Sequence, residues 1–102
     1  MAKFKAVIVK VMDCSTVHIS RADATRLDGN VTMPNDQPLV VYKYEEGYFV
    51  YVGEGSDDKQ ILEAGYSKDL VGLLHRARKA GCKYLQLDCD GPKYKGLKKY
   101  VW

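Results

Sequence analysis

The chain has 102 residues, 16 Lys and Arg against 13 Asp and Glu, and a formal net charge of +3. That length suffices for one domain around one core, and the apolar and charged fractions are those of a globular protein rather than a disordered one. No stretch approaches the roughly 18 apolar residues of a membrane span.

The first element is a β-branched run, Phe4 to Met12, in which Ala6-Val7-Ile8-Val9 is apolar on both sides and predicts a well-buried strand. Lys10 interrupts the run and no small-residue cleavage site follows, so a strand explains it better than a signal peptide. Asp13-Cys14 is a turn candidate, and Ser15-Thr16-Val17-His18-Ile19 reads as a second short strand. Ser20, with Asp23 three residues on, is an acidic variant of the capping box. It opens a short helix from Arg21 to about Asp28, which Gly29-Asn30 ends. Asn30-Val31-Thr32 also spells a glycosylation acceptor, which matters only on a secretory route. From Asn30 to Pro38 the chain is polar and predicts a loop.

The stretch Leu39 to Gly53 predicts a hairpin, since both arms are rich in Val, Tyr and Phe. A three-residue loop Glu45-Glu46-Gly47 would pair Tyr44 with Tyr48 and Tyr42 with Val50. One face would then carry Val40, Tyr42, Tyr44, Tyr48, Val50 and Val52, and the other Leu39, Val41, Lys43, Phe49 and Tyr51. Both faces are apolar, so both need cover. Ser56-Asp57-Asp58 caps a short helical piece through Ala64, stopped by Gly65. Ser67 then caps a firmer helix, residues 68–80, with Tyr66 and Val71 at the staple positions. Leu70, Leu73, Leu74 and Ala77 form its apolar stripe, and Gly81 ends it. Tyr84 to Asp88 is a strand. Strand 48–53, helix 68–80 and strand 84–88 therefore predict a right-handed crossover between parallel strands. The tail begins as a turn at Gly91-Pro92, and Leu97, Tyr100 and Trp102 are placed to pack back on the body. The fold expected is α+β: a mixed sheet of about five strands around a central hairpin, two to three helices on one face, with a ferredoxin-like order possible once one N-terminal strand is set aside.

Several of these pieces resemble one group of proteins: Ser15-Thr16-Val17-His18-Ile19, Gly47-Tyr48-Phe49-Val50, Gly81-Cys82 with Leu85, Leu87, Asp88 and Asp90, and the closing Leu97, Tyr100 and Trp102. Together they are similar to a family of small bacterial proteins of unknown function, common on plasmids and other mobile elements. The resemblance runs from Ser15 onward; the strand from Phe4 to Met12 departs from it. It implies a cytoplasmic accessory protein of a mobile element and carries over no activity and no catalytic residues.

Chemistry-bearing residues are sparse. Cys14, Cys82 and Cys89 are odd in number without C-x-x-C spacing, which speaks for reduced thiols in a cytoplasm and against a disulfide framework or a zinc site. Cys14 and His18 have the spacing of neither a metal site nor a nucleophile pair. Gly53-Glu54-Gly55-Ser56 lacks the Gly-Lys-Ser/Thr ending of a phosphate loop. His18, Ser20, Asp88 and Asp90 are the binding candidates. If the strands ending at Ile19 and Asp88 are parallel neighbours, those residues gather where ligand crevices form, and His18 meets Asp88. The competing reading of Asp88-Cys89-Asp90-Gly91-Pro92 is a plain turn.

Charge is uneven. Residues 1–67 hold 7 basic and 10 acidic side chains, a balance of −3, and residues 68–102 hold 9 and 3, a balance of +6. Lys93, Lys95, Lys98, Lys99 and Trp102 have the chemistry of single-strand nucleic-acid binding, although the same lysines also serve a solvated surface. The expectation is a non-catalytic binding or assembly module without cofactor or metal, a cytoplasmic homodimer through the hairpin face; the alternative is weak, non-specific nucleic-acid binding through the basic C-terminal third.

Overall fold

The computed structural model describes residues 5–32, 38–53 and 58–102. Four strands form one sheet: β1 (Lys10–Ser15), β2 (Val41–Tyr44), β3 (Gly47–Tyr51) and β4 (Cys82–Asp88), in the order β1-β4-β3-β2. β1 is parallel to β4, and β3 is antiparallel to β4 and β2. The helices are α1 (Arg21–Thr32), α2 (Asp58–Glu63) and α3 (Lys68–Lys79). The α+β class holds, with four strands rather than about five among the described residues.

The missing strand was lost at the N-terminus, where two expected strands and a turn become one strand and a coil. Asp13-Cys14 does not turn; Cys14 and Ser15 continue β1, paired with Leu87 and Asp88 and both buried. Thr16–His18 is a single 3-10 turn, opened when Ser15 Oγ accepts the Val17 N–H at 3.1 Å. Residues 5–9 belong to no strand, and Phe4 lies outside the described residues. The reason is β4: Lys10 already faces Cys82, its first residue, so nothing remains there for earlier residues to pair with.

α1 starts as its capping box requires. The Asp23 N–H donates to Ser20 Oγ at 3.0 Å, and the Ser20 N–H donates to Asp23 Oδ2 at 3.1 Å. The helix continues past Gly29 to Thr32 because Asn30 is buried and its Nδ2 donates to Leu39 O at 2.8 Å. That tertiary bond outweighs the ~1 kcal/mol a mid-helix glycine costs. α3 matches its expectation: Ser67 Oγ accepts the Leu70 N–H at 3.1 Å, the stripe Leu70, Leu73, Leu74 and Ala77 is buried, and Gly81 has φ +81°. The capping residues expected for α2, Ser56 and Asp57, lie outside the described residues, as does most of the Gly53–Ser56 stretch; Gly65 stops that piece with φ +101°.

α3 does not make a parallel crossover. α2 first carries the chain from the end of β3 to the opposite end of the sheet, and α3 brings it back. β4 therefore begins beside the end of β3, where the Val52 N–H donates to Lys83 O at 2.9 Å, and runs antiparallel to it. The β-α-β-β-α-β succession holds once α2 is set aside. The hairpin places β3 in the centre and β2 at an edge.

The hairpin register also differs by one residue from the three-residue loop. Glu45-Glu46 alone form the turn, Tyr44 faces Gly47, and Tyr42 faces Phe49. Gly47 does not need a positive φ. It needs to lack a Cβ, which would stand 1.8 Å from Leu87 O of β4. A slip of one exchanges the faces of one arm relative to the other. Val41, Tyr48 and Val50 thus join Cys14, Leu85 and Leu87 under α1 and α3 to form the core.

The two long helices start side by side at the end of the sheet where β1 and β4 finish. Asp23, fully buried, joins them: besides Ser20 it accepts from the Ser67 N–H at 2.8 Å and Ser67 Oγ–H at 2.6 Å.

Candidate functional site

The correct register puts Tyr42, Tyr44, Phe49 and Tyr51 of the hairpin on one face, opposite the helices, with Val11 and Tyr84. Among the described residues no helix covers this face. Tyr84 stands at its centre, with its ring centroid 6.4 Å from those of Tyr42 and Phe49 and 6.0 Å from that of Tyr51. Tyr44 and Phe49 are 5.2 Å apart, and Lys83 Nζ lies 5.7 Å from the Tyr84 centroid. Val9, Val11, Tyr42, Phe49 and Tyr84 line a depression of about 430 Å³. Tyr42 is 56% exposed, Tyr51 40% and Val11 40%.

The face grades from apolar to polar toward the end of β1 and β4. Tyr44 Oη donates to Asp88 Oδ2 at 2.5 Å and accepts from Gln86 Nε2 at 2.9 Å. Burial, reinforced by the Asp88 carboxylate, pushes the Tyr44 hydroxyl up to about 12. Asp88 in turn is held below its ordinary value by the Tyr44 hydroxyl and by the Asp90 N–H, which donates to Oδ1 at 2.7 Å. Asp88 thus closes a turn and anchors a tyrosine. Asp88, Cys89 and Asp90 each offer one donor atom within 4.8 Å of the others, but both oxygens of Asp88 already accept protein hydrogens.

β1 and β4 are parallel neighbours, so His18, Ser20, Asp88 and Asp90 do lie toward one end of the sheet. His18 and Asp88 do not meet. The buried His18 ring is turned to the tail: Nε2 accepts the Tyr94 N–H at 2.8 Å, leaving the ring proton on Nδ1, which donates to Lys98 O at 2.8 Å. Ser20 is spent on the cap of α1.

The tail packs along β1 and α3, away from the hairpin face. The Ser15 N–H donates to Pro92 O at 2.9 Å, the Tyr100 N–H to Val17 O at 2.8 Å, and Trp102 Nε1 to Ile19 O at 3.0 Å. Tyr100 Oη donates to Asp69 and Leu97 packs on the core, but Trp102 remains 52% exposed. This docking sets tail lysines beside those of α3. A cleft of about 140 Å³ is lined by Lys68, Arg76 and Lys98 among others, and an adjoining one of about 440 Å³ by Arg76 and Lys95.

Sequence reasoning missed Tyr84 and split the aromatic set between two faces. The available signal was Gly47 as a residue wanted for close approach rather than for a turn. Residues 11–102 match the model of a family described as "Family of unknown function (DUF5983) C-terminal domain". No curated protein and no solved structure matches the chain. Among the described residues no helix is long and apolar enough to cross a membrane.

Proposed function

We propose that this chain, which belongs to the DUF5983 family of unknown function, is a non-catalytic binding and assembly module whose binding surface is the open aromatic face of its sheet. One observation carries the reading: Tyr42, Phe49, Tyr51, Tyr84 and Val11 form a contiguous apolar surface with no helix over it among the described residues. Monomers rarely leave such patches uncovered, and aromatic side chains are enriched where proteins meet. The occupant this chemistry fits is the surface of a partner protein. The accessory role in a mobile element and the cytoplasmic setting belong to the same proposal. Neither polar cluster argues for catalysis: His18 has both nitrogens engaged in backbone bonds, and Asp88 both oxygens.

The test compares the wild type with Phe49→Ser and Tyr84→Ser in the native host, by affinity capture under matched expression. The expected outcome is a defined partner protein recovered with the wild type and lost with both variants, while their urea midpoints stay near the wild-type value. Equal recovery from all three would overturn the reading.

A second reading draws on the tail, whose docking gathers Lys68, Arg76, Lys95 and Lys98 around two adjoining clefts. It is weak, sequence-independent nucleic-acid binding, carried by these cations with Lys93 and Lys99. Titration of a labelled single strand across salt concentrations is expected to give a log–log slope of roughly −3 for about four neutralised phosphates. Absence of binding at low salt removes this reading, and binding that survives high salt or discriminates sequence would show it underrated.

A further inference from the structure

β1 is an edge strand, and the chain that leads into it is unusual for a free edge. Residues 5–9, Lys-Ala-Val-Ile-Val, belong to no strand, yet Val7 is 91% and Ile8 86% exposed. Natural edges are blunted by charge, proline or cover, because unpaired backbone groups beside β-branched side chains recruit another strand. The far end of this edge is covered: the Ser15 N–H is taken by Pro92 O, and Asp13 O accepts from Tyr94 Oη at 2.5 Å. Those two bonds also show which backbone groups point away from β4. They are those of the odd-numbered residues of β1, so Val11 turns the same groups outward; Val9, just before the strand and its register shift between Lys10 and Val11, lines the open face beside Val11, and no tail bond meets either among the described residues.

We infer that a second copy of the chain occupies this edge, pairing antiparallel with β1 about a two-fold axis at Val9. The inference goes beyond the reading of the aromatic face: it sets two copies edge to edge and leaves that face to another partner. Charge and apolarity select the register. With Val9 opposite the partner's Val9, Val7 faces the partner's Val11, and Lys5 comes level with the partner's Asp13, whose carbonyl Tyr94 already holds, so that only the side chains meet there. Opposite charges and β-branched pairs are what directly facing positions favour. Sliding the copies one way sets Lys10 against the partner's Lys10, and sliding them the other sets Lys5 against the partner's Val11. A slip that pairs odd with even residues turns the outward amides away from their acceptors. In the chosen register the outward N–H and C=O groups of Val7, Val9 and Val11 exchange hydrogen bonds. Val7 and Val9 also extend the open face of the partner's sheet beyond its own Val11, so the dimer carries one continuous aromatic and aliphatic face. Lys10 stays out of the way, its Nζ donating to Ala80 O on the helix side.

Light scattering of the full chain across the micromolar range provides the test, with four variants. Val9→Pro removes an amide that the inference turns toward the partner, at a position outside β1, so folding should persist. The expected result is a dimer in the wild type and a dissociation constant raised on the order of tenfold or more in Val9→Pro. Lys5→Glu should weaken the dimer, and the exchange Lys5→Glu with Asp13→Lys should restore it. Phe49→Ser, on the open face, should leave it intact. A wild type that stays monomeric at high micromolar concentration overturns the inference. A dimer that survives Val9→Pro but is lost in Phe49→Ser also overturns it, while sustaining assembly through the hairpin face. A charge exchange that fails to restore a dimer lost in Lys5→Glu overturns the register.

Discussion

Asp23 shows how much of this fold depends on single polar atoms. Its carboxylate accepts from Ser20 N–H, Ser67 N–H and Ser67 Oγ–H, so one side chain satisfies the starts of α1 and α3 and fixes their spacing. Orphaned buried donors cost about 1–3 kcal/mol each. Asp23→Ala is therefore expected to lower stability by about 3 kcal/mol, read from urea unfolding. Asp23→Asn should lose at least half as much, because its amide nitrogen would confront an N–H where an oxygen now accepts. A loss under ~1 kcal/mol in the alanine variant would mean the helices do not need the joint. Gly47 is the steric counterpart, since a methyl there has to displace the Leu87 carbonyl of the central strand.

At the scale of elements, what was legible was what local chemistry decides. α3 was readable from end to end because Ser67, the leucine stripe and Gly81 all act within the helix. The box of Ser20 and Asp23 was equally local, although the reach of Asp23 to Ser67 was not. What failed was set by distant partners. β1 ends where β4 ends, α1 outlasts Gly29 because Asn30 finds Leu39, and the hairpin register follows the close approach of β4 to Gly47. The candidate site was half legible for the same reason: its aromatic residues stood out, but the face they share depended on that register. The return of the tail through Leu97, Tyr100 and Trp102 was legible, but not the buried His18 that straps it down by bonding Tyr94 N–H and Lys98 O. His18→Ala should release both bonds at a cost of about 2 kcal/mol. It should also speed amide exchange at Tyr94 and trypsin cleavage at Lys95 and Lys98. If cleavage there is no faster than in the wild type, the remaining anchors at Val17 and Ile19 hold the tail alone.

Among the described residues, tyrosine hydroxyls tie elements together alongside ion pairs such as Lys43 of β2 with Asp28 of α1. Tyr48 of β3 donates to Asp28 of α1, Tyr44 of β2 to Asp88 of β4, and Tyr100 of the tail to Asp69 of α3. Each phenol is held in its protonated form. The bond to Asp69 pushes Tyr100 up to about 12, burial with the Asp88 bond does the same for Tyr44, and burial with the Asp28 bond drives Tyr48 higher still. Burial also lifts the Cys14 thiol, to about 11. A folded value above the unfolded one means that between the two the unfolded chain has released its proton and the folded chain has not. Stability is then fully present below the ordinary tyrosine and thiol range and declines as pH rises toward the folded values. On the acid side, burial raises Asp28, but its bonds to Lys43 and Tyr48 prevail and hold it below its ordinary value; Asp88 is lowered too. Their share is present above the ordinary carboxylate range and is lost as pH falls through it. The urea midpoint is thus expected to be level near neutrality and to fall between about pH 9 and about pH 12, steeply for a domain of this size because several phenols and a thiol contribute together. Tyr44→Phe and Tyr100→Phe should each reduce that alkaline fall while lowering the midpoint at neutral pH. A midpoint unchanged up to about pH 11, or phenolate absorbance that rises entirely in the range of free tyrosine, would show that these hydroxyl–carboxylate ties do not hold the elements together.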